Sequence, residues 1–483
     1  MSDYTDRLIN HADGISMIAE LRGIRNAIGI AGIIGQGVVP DQNSITFKGL
    51  QMMIQQGLGP IVAPLGSVIS VFKETALVAT VGEHTGEISV AVNESVFLEK
   101  VHEAVEGEYE FKYDGSAWRL DDHSVIIEDY GITITGTPTS GDTFLVKETA
   151  AVYKFRVVDY IEDGKTLNGA DSSITFVDKT RKHGIVLLME DIDYYGLTFS
   201  QPQALYVPDE VIPAGTTLSF GKGTYDATYA PDTVYHFTTE TDIPAGAQIC
   251  LSWGYQSPIL NGKINVYSDP ASTTVMQSLP IAAGNAGTYI GDASLSDRKG
   301  NLNHIQSARY GYNGWAESFA RQNANSAGAK ATYYQASSKF DRKPGVADSL
   351  DGFMKGFDAG FLDIVQMMNV ETCKNSVSDA TSAEITAGTA YTVTKDKFFM
   401  ASRANIYGSR ENASEKLDHW AWFAANTADA FKIRYNGNVA RYWWLRSPHS
   451  AHAHYVRNVY PSGGLHNSYA YNGGGRCLAC VIG

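Results

Sequence analysis

Residues 442–483 read YWWLRSPHSAHAHYVRNVYPSGGLHNSYAYNGGGRCLACVIG. Two tryptophans and an arginine lead into a tract written almost wholly in His, Tyr, Asn, Ser, Ala and Gly. A metal site, a low-complexity tail and a recognition surface are the three explanations to weigh. RYWWLRS reads as a strand. Beyond it, Pro461-Ser462-Gly463-Gly464 carries the turn chemistry of a hairpin. Val456, Arg457, Val459 and Leu465 punctuate the tract, which argues against a low-complexity tail.

His449, His452 and His454 fall within six residues, with His466 beyond. Imidazole binds zinc well, and His452 and His454, two apart on a strand, would share a face. No acidic residue follows Leu445 to orient those rings, so no metal site is expected. Cys477 and Cys480 have C-x-x-C spacing but sit on a terminal strand rather than opening a helix, so a buried structural pair is expected. Trp443 and Trp444 read as core. Adjacent strand residues face opposite ways, which leaves a surface position open for one of them. Arg446 reads as structural, with Asp341 of FDRKP as a candidate partner.

The alphabet itself is the more specific signal. The 39 residues from Leu445 to Gly483 contain no Asp, Glu, Lys, Gln, Met or Trp, although Asp and Glu make up 52 of the 483 residues. From His449 to Gly473, 20 of 25 positions are Ala, Gly, His, Asn, Ser or Tyr. Substituting the adenines of an AAC or AAT codon yields Asn, Tyr, His, Asp, Ser, Gly and Ala, but never Lys, Glu, Gln, Met or Trp. The third base stays a pyrimidine. Tyr brings rigid contact area, while Ser, Gly, Asn and His adapt their hydrogen bonds, as in antibody paratopes. The tract therefore reads as a variable recognition surface on a fixed scaffold.

Upstream, helix and strand signals mix from about residue 291. YNGWAESFARQNANS puts Trp315 and Phe319 on one helical face, with a cap near Asn313. KFFMAS reads as a buried strand and DHWAWFAANTADAFKIRY as a helix. A fragment starting near 291 is expected to fold alone. Between about 74 and 290 the period changes to two, in short runs such as GEYEFKYDGSAWRL, KHGIVLLME and AQICLSW, broken by Asp-Gly and Ser-Gly-Asp turns. Two sandwich-type modules, 74–150 and 151–290, are expected to form a stalk. Residues 1–73 read as a helical segment for attachment or oligomerisation, with packing on the chain's own β-domain as the other reading of its apolar stripe. Ile15, Ile18, Leu21, Ile24 and Ile28 make one apolar stripe, and a second helix runs from Ser44 to Gly57.

The whole chain sets bounds on this reading. Its 483 residues suggest about three domains. A formal charge of −14 argues against nucleic acid or an anionic membrane as partner. No basic segment leads an apolar run at the N-terminus, so no secretory signal is expected. Four cysteines are too few for a disulfide framework, so folding in a cytosol is expected.

SARYGYNGWAESFARQNANS, FDRKP, GFDAGFLDIV, DKFFMASRANIYG and the WWLRSP…VRNVYPSGGL…ACVI series resemble an uncharacterised domain family of prophages and phages of gut Firmicutes. It is similar in turn to the variable proteins of diversity-generating retroelements, whose C-terminal domains have a C-type-lectin-like fold. The resemblance covers roughly 295–483. It implies a multidomain α+β protein with a lectin-like domain over 291–483, and a receptor-binding fibre or spike of the virion. The bacterial surface glycan or protein would be bound by His449, His452, His454, Tyr455, Tyr460, His466, Asn467, Ser468, Tyr469, Tyr471 and Asn472. Trp443, Trp444 and Arg446 would hold the scaffold, and other virion proteins would take the N-terminal segment. A homotrimer is expected by fold-level analogy, with no cofactor and no catalytic residue. GGGRCLAC departs from the family's usual tail, and the EPN and WND calcium motifs of animal lectins are absent. A virion decoration protein and a formylglycine-generating-like oxidase, which would need Cys477 or Cys480 reactive in a cleft, are the alternatives.

Overall fold

A computed structural model describes residues 47–82, 84, 88–92, 97, 108–120, 123–221, 234–252, 262–290, 307–375 and 379–483. The stripe from Ile15 to Ile28 and the cap at Ser44 lie outside the described residues. The chain is β-rich, of α+β class, with several sheets and short helices. It divides into two compact units. One takes 70–153 and 356–361; the other takes the described residues of 1–69, 154–355 and 362–483. Among the described residues no helix is long and apolar enough to cross a membrane.

The smaller unit is built on alternation. Glu108–Tyr113 pairs with Trp118–Leu120 across a tight turn in which Asp114 Oδ1 accepts from the N–H groups of Ser116 and Ala117, at 2.8 and 2.9 Å. Gly115 there has φ +98°, which L side chains rarely adopt. The inward residues Phe111, Trp118 and Phe144 form its aromatic core, with Phe111 stacked on Phe144 at 4.7 Å.

In the larger unit, Thr217–Gly221 and Val234–Thr238 belong to one sheet, and Gln248–Ser252, Lys263–Tyr267 and Val275–Pro280 form another. Every second residue of these strands, among them Leu218, Phe220, Tyr235, Phe237, Ile249, Ile264 and Val266, enters one shared core. The helix Phe47–Met53 does not stop at Gly57. It passes through a π-turn, Ile54–Leu58, kinked at Gly57, into Gly59–Val62. Gln51 and Gln55 donate to the carbonyls of Gly483 and His183, so this helix packs on the chain's own strands.

Eleven strands frame the C-terminal tract: β1 (Ile174–Phe176), β2 (His183–Met189), β3 (Tyr194–Thr198), β4 (Met368–Cys373), β5 (Tyr391–Asp396), β6 (Phe398–Phe399), β7 (Trp443–Pro448), β8 (Tyr455–Val459), β9 (Leu465–Tyr469), β10 (Gly473–Arg476) and β11 (Ala479–Ile482). One sheet has the order β3-β10-β7-β8-β9. β11 lies between β2 and β6, and β4 between β1 and β5. Strands from 174–198 thus complete all three sheets. A fragment starting near 291 lacks those strands, and the boundary expected there is corrected: one compact unit runs across that point.

The segment after Gly314 also differs from the sequence reading. Trp315–Glu317 is a 3-10 turn and the helix is Phe319–Ala324, capped by the Ser318 side chain, while Asn313 serves elsewhere. DHWAWFAANTADAFKIRY is not one helix but Ala421–Ala425, a 3-10 turn Asp429–Lys432 and a short strand Arg434–Asn436.

Candidate functional site

β7 is wholly buried. Trp443 Nε1 donates to the Lys432 carbonyl at 3.0 Å and Trp444 Nε1 to the Leu197 carbonyl at 2.8 Å. Both tryptophans are core, as the sequence reads them, and neither reaches the surface because both faces of β7 are covered. Gly474 of β10 explains part of the GGG run: a Cβ there would stand 2.5 Å from Trp444 Nε1. Arg446 is also fully buried. It donates to the Met400 carbonyl, Asn405 Oδ1 and Ser173 Oγ at 2.7–2.8 Å. Asp341 is not its partner, being bonded instead to Gln203 and to the N–H groups of Ser337 and Ser338. The carboxylates that compensate Arg446 are Asp418 and Glu415. Burial pushes the Glu415 carboxyl up to about 6 and raises Asp418 as well, with Arg446 opposing both.

The tract is held by its main chain. The Asn313 side-chain amide, fully buried, donates to the carbonyls of His452 and Tyr455 at 2.7 and 2.8 Å, with a longer 3.3 Å contact to that of His449. Asn375 Nδ2 donates to Asn313 Oδ1 at 3.0 Å and fixes the amide's orientation. The Asn313 N–H reaches the Ala453 carbonyl at 2.9 Å. Glu411 accepts from the Ser450 N–H at 2.9 Å, and Ser200 N–H donates to the Ala470 carbonyl at 2.9 Å. Tyr471 N–H donates to the Tyr310 carbonyl at 3.0 Å. At the hairpin turn the Tyr407 hydroxyl donates to the Gly463 carbonyl at 2.7 Å. Gly463 has φ +89°, and a Cβ would come within 2.1 Å of the Asp429 carbonyl oxygen. None of these contacts uses a side chain of the tract.

β8 and β9 form the expected hairpin, pairing Tyr455 with Tyr469 and Val459 with Leu465. Backbone bonds at either end, Ala470 N–H to His454 and Tyr460 N–H to Gly464, put Tyr455 and Tyr469 at a non-hydrogen-bonded pair, where side chains come closest. Their rings stack at 4.8 Å and 18°, and Tyr469 stacks at 4.1 Å and 11° on the buried Tyr310. Tyr471 lies parallel, 6.0 Å from Tyr469. His454 is only 3% exposed, tucked against Tyr310, Tyr455 and Tyr469. Its place among surface contacts is corrected: it packs beneath them. His449, His452, Tyr455, Asn467, Ser468, Tyr469, Tyr471 and Asn472 are half-buried, and Tyr460 and His466 are exposed as a ring pair at 5.1 Å near the turn.

Burial, with help from His452, Arg309 and His449, holds the His454 imidazole down at about 3. Burial and then Arg457 and His452 lower His449 too. Both rings are neutral near pH 7. Arg457 is clamped on Glu411 through Nε and Nη2 at 2.7 and 2.9 Å, with Arg403 on the same carboxylate at 2.9 Å. Burial works against the Glu411 charge, but these hydrogen bonds prevail and keep the carboxyl below its usual range. Among the described residues no three His, Cys, Asp or Glu side chains converge as a metal site. Cys477 and Cys480 are buried free thiols, with burial pushing Cys477 up to about 12 and Cys480 higher still.

Residues 291–481 match a family model described as a domain of unknown function, DUF6273. No curated protein and no solved structure matches the chain. The matched region contains the tract and its clamps Asn313, Tyr407 and Glu411. Ser173, just before β1, and Leu197 of β3 accept from Arg446 and Trp444 of β7, Ser200 bonds the Ala470 carbonyl of the tract, and all three precede the match.

Sequence reasoning overlooked Tyr310 and Glu411, and took Asn313 for a helix cap. Their signal was available. Tyr310 and Asn313 stand in the quoted SARYGYNGWAES motif, and Glu411 is one of the acids whose absence from the tract obliges Arg457 to find a partner outside it.

Proposed function

We propose that this chain is a phage virion protein whose C-terminal part recognises the bacterial surface through side chains of 449–472. The recognition domain takes a C-type-lectin-like fold in this reading, and the N-terminal segment attaches a homotrimeric fibre or spike to the particle. One observation carries it. The main chain of the tract is fixed from outside by Asn313, Glu411, Tyr407, Ser200 and Tyr310, so its solvent-facing side chains can change without removing these backbone bonds, while Arg457 and His454 belong to the scaffold. Such an arrangement suits a surface whose codons are diversified, and the missing Lys, Glu and Gln fit adenine-directed substitution. The oxidase alternative finds little support, since catalysis by Cys477 or Cys480 needs a thiolate within reach of substrate and both thiols are buried and protonated.

The test uses the full chain, labelled, on a panel of Firmicutes cells. Tyr460→Ala with His466→Ala, both exposed, together with Asn467→Ala and Asn472→Ala, should abolish attachment while the melting curve stays near that of the parent. Attachment that is indifferent to these changes overturns the reading.

A further inference from the structure

We infer that the ligand of this surface is a neutral glycan, held by hydrogen bonds to ring edges and amides rather than by sugars stacked on tyrosine faces. This rests on the recognition reading above and adds the chemistry of the ligand.

Tyr469 is stacked between Tyr310 and Tyr455, with centroids at 4.1 and 4.8 Å and interplanar angles of 11° and 18°. His454 packs against Tyr455 at 4.4 Å, and His452 meets Tyr455 edge-on at 5.2 Å. The faces of Tyr469 are taken by neighbouring rings, and Tyr455 is covered by Tyr469 and flanked by His454 and His452, while Tyr460 stands outside this column against His466. What a stacked column of half-buried phenols turns toward solvent is its edges, and a phenol hydroxyl both donates and accepts. Asn467, Asn472 and the exposed His466 add groups of the same double character.

Charge narrows the class. The last 39 residues hold three charged side chains, all arginine. Arg446 is fully buried beside Asp418 and Glu415, Arg457 is clamped on Glu411, and Arg476 holds Asp193 through Nε at 2.9 Å. His449 and His454 are held neutral by burial. The tract therefore offers an acidic polysaccharide no uncommitted arginine, and offers a cationic one no carboxylate at all. Protein partners are commonly anchored by Trp, Tyr or Arg entering pockets. Here the arginines are committed, and Tyr460 is the one large apolar side chain of the tract that stands out, at 49% exposure. A ligand rich in hydroxyl and acetamido groups, without net charge, matches what remains.

The experiment applies the full chain to an array of immobilised neutral, sialylated, uronate-bearing and phosphorylated glycans, and to cells that bind it. Neutral glycans should be bound, with less than about twofold loss between about 50 and 500 mM NaCl, because the ligand carries no charge to screen. Asn467→Asp should weaken that binding without moving the melting point, and Asn467→Ser should largely preserve it. Periodate treatment of the cells should remove attachment and protease treatment should not. Preference for an acidic glycan, a steep salt dependence, or no glycan bound at all overturns the inference. Attachment that depends on the tract but resists periodate and yields to protease overturns the glycan alone and leaves the recognition reading standing. Attachment that ignores the tract overturns both.

Discussion

Asn313 holds Tyr455 by its backbone: the buried amide Nδ2 donates to the Tyr455 carbonyl at 2.8 Å, across 142 residues of sequence. The same amide serves His452, and Asn375 locks it in orientation. A buried side chain that binds carbonyls alone is blind to which side chains the tract carries. That is the physical content of a fixed scaffold under a changing surface.

Asn313→Ala leaves the Tyr455 carbonyl only the His449 N–H at 2.9 Å and the His452 carbonyl only the Tyr455 N–H at 3.4 Å, and takes from Asn375 Nδ2 its 3.0 Å acceptor. A buried polar group stripped of its partner costs about 1–3 kcal/mol. Urea unfolding should show a loss of that order, and amide exchange over 449–455 should accelerate more than over β2 or β11. An unchanged exchange pattern would show that the loop keeps its path by other means.

His454 makes the fold sensitive to acid. Its imidazole titrates at about 3 when folded, against about 6.5 when unfolded, so the unfolded chain binds the extra proton. The stability contributed by keeping this ring neutral is therefore full above the unfolded value and is lost as pH falls from about 6.5 toward 3. Glu415 works in the opposite sense, since its raised carboxyl favours the native state at lower pH. Comparison with His454→Phe separates the two. Between pH 7 and 4.5 the wild type should lose about 2–3 kcal/mol relative to the variant. Parallel pH profiles would show that the ring is not buried neutral.

Trp444 and Tyr455 should part company on truncation. Trp444→Ala empties a fully buried site and removes the bond to Leu197, at a cost of about 3–5 kcal/mol. Tyr455→Ala, half-buried at the end of the stack, should cost roughly 1 kcal/mol, mostly lost stacking on Tyr469. Thermal melts check the order. Equal losses would make Tyr455 a core residue.

A chain beginning near 291 lacks β1, β2 and β3, and should be insoluble or unfolded. It loses the pairing of β2 with β11, the Leu197 acceptor for Trp444, the Ser173 acceptor for Arg446 and the Asp193 partner of Arg476. A soluble, cooperatively melting fragment would contradict the shared sheets.

The strands were legible because alternation and turn chemistry are local. KHGIVLLME appears as β2, WWLRSP as β7, and the turn at Pro461–Gly464 joins β8 to β9. What escaped was long-range. No local pattern says that β11 slots between β2 and β6, or that Arg446 faces Asp418 rather than Asp341, because those choices rest on tertiary contacts, from 28 residues for Arg446 and Asp418 to nearly 300 for β11 and β2. Trp443 and Trp444 were legible as core, and both are fully buried. Alternation assigns two faces but cannot say that both are covered. In the tract, composition marked the surface, while the burial of His454 follows from Tyr310, far upstream.

The most direct test randomises His449, His452, Tyr455, Asn467, Tyr469, Tyr471 and Asn472 together with AAC-type codon variants, and sorts the full chain separately for folding and for cell attachment. Most folded variants should retain the parent's proteolytic resistance while attachment is lost or redirected to other cells. If folding fails as often as attachment, the tract is core, and the claim of a variable surface on a fixed backbone is wrong.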